Sequence, residues 1–138
     1  MQGIYHISFL GSIYFFISVP LFSLFSYYFR FERGAQVLKM AGLDLVADRS
    51  GKRSHAAVPV ISKNGKAELR YALYQAAVVA SSKNRHFIRW FTNKLRGRQR
   101  EKGIKTRMRV KLSAKLLIIA WTLMKKKEPF NPDCLRIE

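Results

Sequence analysis

The chain has 138 residues, with 26 Lys and Arg against 8 Asp and Glu, a formal net charge of +18 and a pI near 10.6. That length suits one small domain with an appended segment, and a surplus of one sign this large repels itself in the compact state, so its simplest reason is a polyanionic partner, either nucleic acid or an anionic membrane surface. Cys134 is the only cysteine, which excludes an internal disulfide, and His6, His55 and His86 are scattered without metal-ligand spacing.

Met1 to Phe29 contains no Asp, Glu, Lys or Arg. This apolar, aromatic stretch is long enough to span a bilayer, which takes about 20 apolar residues. It lacks a basic n-region and ends in Tyr27, Tyr28 and Phe29, which argues against a cleaved secretory signal. Two readings stand: an accidental fusion or out-of-frame segment, which is favoured, and a single membrane span. In the second, Arg30, Arg33 and Lys39 would hold the C-terminal side in the cytoplasm.

The charged body begins at Arg30. Residues 34–41 place Val37, Leu38 and Ala41 on one face of a short helix, and Gly42 is its expected left-handed stop. Residues 43–62 show no helical period and carry Asp48, Gly51 and Pro59. They predict a long loop with a short strand at Ala57–Ile61. From Lys66 to Ser81 the spacing of Leu69, Leu73, Ala76, Ala77 and Ala80 predicts a second helix. Asn84 caps a third, with Phe87, Ile88, Phe91 and Leu95 expected inward. Residues 97–103 form a charged connection between glycines. A last helix, Lys105 to Lys126, turns Met108, Leu112, Leu116, Ile119 and Leu123 inward, and Pro129 stops its continuation. The fold class is mainly α. The expected organisation is 1–29 uncharged segment, 30–133 helical domain, 134–138 tail.

Several pieces, in order, resemble one family. Gly42-Leu43, Ser50-Gly51, Ile61-Ser62-Lys63-Asn64-Gly65, Leu69-Arg70 with Leu73, and the later run MRVKLSAKLLIIAWTLMKKKEPFNP are similar to the C-terminal domain of DEDD-type, serine-dependent insertion-sequence transposases, the IS-110 and IS-1111 group. The resemblance covers about residues 30–133. It implies a two-part recombinase: a RuvC-like domain with four acidic ligands for a divalent metal such as magnesium, and a C-terminal domain with a serine nucleophile. Ser50 matches the serine. Structured RNA guides site choice in some members, so DNA, a guide RNA, and a RuvC-like chain or a second copy are the implied partners. The sequence departs from the pattern at Leu45, where the family usually has Pro. No acidic residue in 1–29 matches the RuvC-like part, so the chain is expected to be a truncated member, inactive alone and without a cofactor of its own.

Taken without the resemblance, Ser50 before a glycine is a turn residue. Ser54 and Ser62 compete for its role, Ser62 more simply as a cap or turn, and His55 is more simply a solvated side chain. Gly51-Lys52 is followed by Arg53 and lacks the offset glycine of a phosphate-binding loop. In the role that the resemblance implies for Ser50, Arg49, Lys52 and Arg53 are placed to neutralise charge beside it. Lys63, Lys66, Arg70, Arg85, Arg89, Lys94, Arg96, Arg98, Arg107, Arg109 and Lys111 are expected to contact nucleic-acid backbone, because solvated faces ordinarily mix both signs. Trp90 and Trp121 are expected in the core or at its rim. Nothing suggests base readout. The expected location is cytoplasmic, with an inner-membrane alternative that leaves the N-terminus outside and the C-terminus inside.

Overall fold

The computed structural model describes residues 30–47 and 59–135. The uncharged stretch 1–29, the expected nucleophile Ser50 and its neighbours Arg49, Lys52 and Arg53 lie outside the described residues. Four helices and one two-stranded ribbon follow in chain order: α1 (Gly34–Ala41), β1 (Leu45–Ala47), β2 (Pro59–Ile61), α2 (Ala67–Lys83), α3 (Arg85–Leu95) and α4 (Ile104–Lys126). The domain is mainly α, as its spacing predicts. Among the described residues no helix is long and apolar enough to cross a membrane.

α1 begins where the Gln36 side chain accepts from the Glu32 and Arg33 amides at 2.9 and 3.2 Å, satisfying donors that a helix start leaves open. It stops at Gly42, which takes φ 66° and ψ 31°. The Gly42 amide then donates to the Lys39 carbonyl and the Leu43 amide to the Leu38 carbonyl, the bond pair of a Schellman end. Val37 and Ala41 are fully buried.

The long loop is more ordered at its ends than its sequence suggests. β1 pairs antiparallel with β2, in the register Leu45↔Ile61, Val46↔Val60 and Ala47↔Pro59. The strand expected at Ala57–Ile61 is therefore present as Pro59–Ile61, and it has a partner that the sequence reading places in loop. Leu45, Val46 and Val60 are exposed, so neither strand shows the buried alternation that marks a strand in sequence.

Two apolar clusters share α2 and α4. One gathers Leu69, Leu73 and Leu117 with Val37, Ala41 and Leu43 of the α1 end. The other gathers Ala76, Ala77 and Ala80 with Phe87, Trp90, Phe91, Met108, Leu112 and Leu116. α4 is thus apolar on two faces. The single stripe expected for it is corrected on this point: Leu117 is fully buried, while Ile119 and Leu123 are only half-buried. In α3, Asn84 caps as expected, accepting from the His86 and Phe87 amides at 3.0 and 3.3 Å. Ile88, expected inward, is instead exposed, because the inward face is set by Phe87, Trp90 and Phe91. After α4 the chain returns: Phe130 stacks on Phe87 with centroids 5.8 Å apart, and Leu135, assigned to the tail from sequence, is buried in the second cluster.

Candidate nucleic-acid interface

Two regions bear on function. The first is the base of segment 48–58. Ala47 and Pro59 are register partners, so the chain leaves and re-enters the described structure at one point. Below the ribbon the Ser62 amide donates to the Asp44 carbonyl at 2.9 Å and the Lys63 amide to the Gly42 carbonyl at 3.0 Å. The Ser62 hydroxyl donates to the Asp44 carboxylate. The Lys66 amide reaches the Met40 carbonyl at 2.9 Å. Arg70 closes the junction, its guanidinium donating to the carbonyls of Ala41 at 3.1 Å and Lys63 at 3.4 Å. Gly65 sits so close that a Cβ there would overlap the Gly42 nitrogen and the Met40 carbonyl oxygen. Lys63 itself holds φ 56°, a left-handed conformation uncommon for a side-chain-bearing residue. Gly42-Leu43, Ile61 to Gly65, and Leu69-Arg70, separate in sequence, thus form one knot.

The second region is the surface of α3, the connection 96–103 and α4. Glu101 is the only acidic residue between Leu69 and Lys127. Arg85 and Arg89 are exposed one turn apart on α3, and Arg96, Arg98, Arg107 and Lys111 are exposed beyond them. Lys94 is half-buried and engaged. Lys63 and Lys66 are exposed, but at the knot. Glu101 draws Arg98 to it with contacts of 2.7 and 2.9 Å, and Arg107 lies 3.7 Å from the same carboxylate. That hydrogen-bonded pairing holds the Glu101 carboxyl below its ordinary pKa and lifts Arg98 above its own.

Not every expected cation is open to solvent. Arg70 is half-buried and committed to carbonyls. Arg109 lies 5.8 Å from the Phe91 ring centroid, with its Nε buried and unbonded, so it packs as much as it presents charge. Lys115 was not singled out by sequence, although it follows Lys111 by one helical turn. Its ammonium stands 5.7 Å over the Trp90 ring, whose own burial places Trp90 in the core. Arg107, Lys111 and Lys115 recur every four residues along α4, on one ridge of the helix.

A divalent metal is implied by the resemblance for another part of the enzyme. Among the described residues no three His, Cys, Asp or Glu side chains converge, and these residues do not fit the role of metal ligands. No curated protein and no solved structure matches the chain. A family model described as Transposase IS116/IS110/IS902 family matches residues 21–91, just over half of the sequence. The match starts within the uncharged N-terminal stretch, takes in α1, the ribbon and α2, and ends inside α3. With the knot and the matched residues falling together, the chain belongs to the IS116/IS110/IS902 family of transposases.

Proposed function

We propose that this protein is a DNA-handling part of a transposase, gripping the sugar-phosphate backbone with the α3–α4 surface, and that Ser50 is its nucleophile toward a phosphodiester. The observation that carries the DNA-binding reading is the one-signed surface: exposed Arg85, Arg89, Arg96, Arg98, Arg107 and Lys111 with Glu101 as their only acidic neighbour in the sequence between Leu69 and Lys127. Lysine and arginine contacts to phosphate release counterions, and this supplies affinity without base readout. Family membership supports the assignment to transposition and recombination.

Ser50 enters through its match to the family's serine. In that role its hydroxyl oxygen attacks phosphorus, the bond to the departing strand breaks, the serine proton passes to solvent and the leaving oxygen takes one up. The resulting ester conserves the energy needed for rejoining. Paired Ala47 and Pro59 support the role by fixing where the segment begins and ends. The reading is tested by titrating the full chain onto random-sequence duplex DNA across a salt series. Log affinity should fall steeply against log salt, by about 0.9 for each phosphate neutralised, and a flat line would sink it. For the chemistry, a covalent DNA adduct trapped on the chain, with a RuvC-like chain supplied, should vanish in Ser50→Ala. An adduct surviving that substitution would show that another residue attacks.

A further inference from the structure

Resting on the DNA-binding reading, we infer that Glu101 is an internal stand-in for a nucleic-acid phosphate, and that Arg98 and Arg107 are the phosphate site it occupies. The geometry is that of an anion cradle already holding an anion. Arg98 offers Nε to one carboxylate oxygen at 2.7 Å and Nη2 to the other at 2.9 Å. This two-bond fork suits a phosphate as well as a carboxylate, since both present paired oxygens to a planar guanidinium. The second arginine comes from a different element. Arg107 Nη2 is 3.7 Å from the Glu101 carboxylate and is oriented by donating to the Lys102 carbonyl at 2.9 Å. The cradle therefore has one wall from the connection and one from α4, and its second wall is aimed by a backbone bond independent of Glu101.

Two further observations favour exchange over a fixed structural role. All three side chains are well exposed, at 43%, 41% and 59% for Arg98, Glu101 and Arg107, and exposed ion pairs contribute little to stability. Replacing Glu101 with another anion therefore disturbs nothing underneath. Arg107 is also the first member of the α4 ridge that continues through Lys111 and Lys115. Four residues advance about 6 Å along a helix, a step comparable with that between successive phosphates of one strand. A phosphate entering the cradle would thus place its neighbour over the exposed Lys111. Until then Glu101 screens the head of the ridge and must be displaced before DNA engages it.

The test is a double-mutant cycle in the full chain, read by salt-dependent binding to random-sequence duplex DNA. Glu101→Gln should bind several-fold tighter at moderate salt, and its slope should steepen by about one to two units, one per guanidinium freed. Glu68→Gln, an equal change of charge at an exposed position on α2, serves as the control and should shift affinity less and leave the slope unchanged. In a chain carrying Arg98→Gln and Arg107→Gln, the further change Glu101→Gln should do no more than that control. The inference is overturned if Glu101→Gln behaves like Glu68→Gln, or if its gain persists without the two arginines. A flat salt response in the unsubstituted chain would instead remove the DNA-binding reading, and this inference with it.

Discussion

The knot below the ribbon and the α3–α4 surface are built on opposite principles. At the knot, backbone meets backbone: Gly65 lies against Met40 and Gly42, the amides of Ser62, Lys63 and Lys66 find carbonyls of residues 40–44, and Arg70 spends its charge on two carbonyls. On the α3–α4 surface few polar bonds form among the side chains themselves, and Arg85, Arg89 and Lys111 stand exposed. At the knot Arg70 is a hydrogen-bond donor in a folded junction, whereas the exposed cations Arg85, Arg89 and Lys111 present positive field to their surroundings. The same residue type carries two kinds of meaning, and its surroundings decide which. If that contrast is right, substitutions in the two regions should separate cleanly into losses of stability and losses of binding.

The largest expected effect is at Gly65. Gly65→Ala would drive a Cβ into two backbone atoms and to within 2.7 Å of the Ala41 carbonyl carbon, none of which can swing away as a side-chain end would. A cost of about 3 kcal/mol follows, the upper end of what forcing extra atoms against backbone ordinarily costs. Thermal unfolding should show a large drop in Tm or no cooperative transition. A variant as stable as the parent would mean that the backbones are not in this close approach, and the knot would dissolve as a concept.

Arg70 sits on the line between the two regions and sharpens it most. Arg70→Leu keeps much of the stem's apolar cover on α2 while deserting the carbonyls of Ala41 and Lys63. Stranding the part-buried Ala41 carbonyl costs about 1–3 kcal/mol, and the exposed Lys63 carbonyl adds little. The variant should lose stability by urea titration, yet its slope of log affinity against log salt should barely move. A slope change as large as that of an exposed arginine, with stability intact, would return Arg70 to the DNA-binding face.

How much of this was legible in the residues differs along the chain. The α1 stop at Gly42 and the Asn84 cap were readable, because a left-handed glycine and a side-chain oxygen before a helix act locally. β1 was not readable: Leu45 and Val46 are exposed, and three residues make a strand only through a partner fourteen positions or so away. Leu117 was hidden for another reason. A single helical stripe assumes one buried face, and α4 lies between two clusters. The candidate surface was visible as composition, since charge of one sign needs no tertiary information. The division of its cations was not. Arg70 and Arg109 are withdrawn by carbonyls and by the Phe91 ring, contacts that no local pattern announces.

The smallest effect on the fold, and the most direct probe of the contrast, belongs to Arg89. Its side chain is exposed on α3, one turn after Arg85, on the side away from the buried Phe87 and Phe91. Arg89→Gln keeps a good helix former and a long stem at that position, so stability should stay within about 0.5 kcal/mol of the parent. Binding to duplex DNA should weaken at every sequence alike, because a backbone contact carries no base information. If Arg89 neutralises one phosphate, the slope of log affinity against log salt should become shallower by about 0.9. A loss confined to particular sequences would mark Arg89 as a base reader. A loss of stability comparable to that of Arg70→Leu would mean that the α3 surface is held together by its charges after all, and that the two regions are not built on different principles.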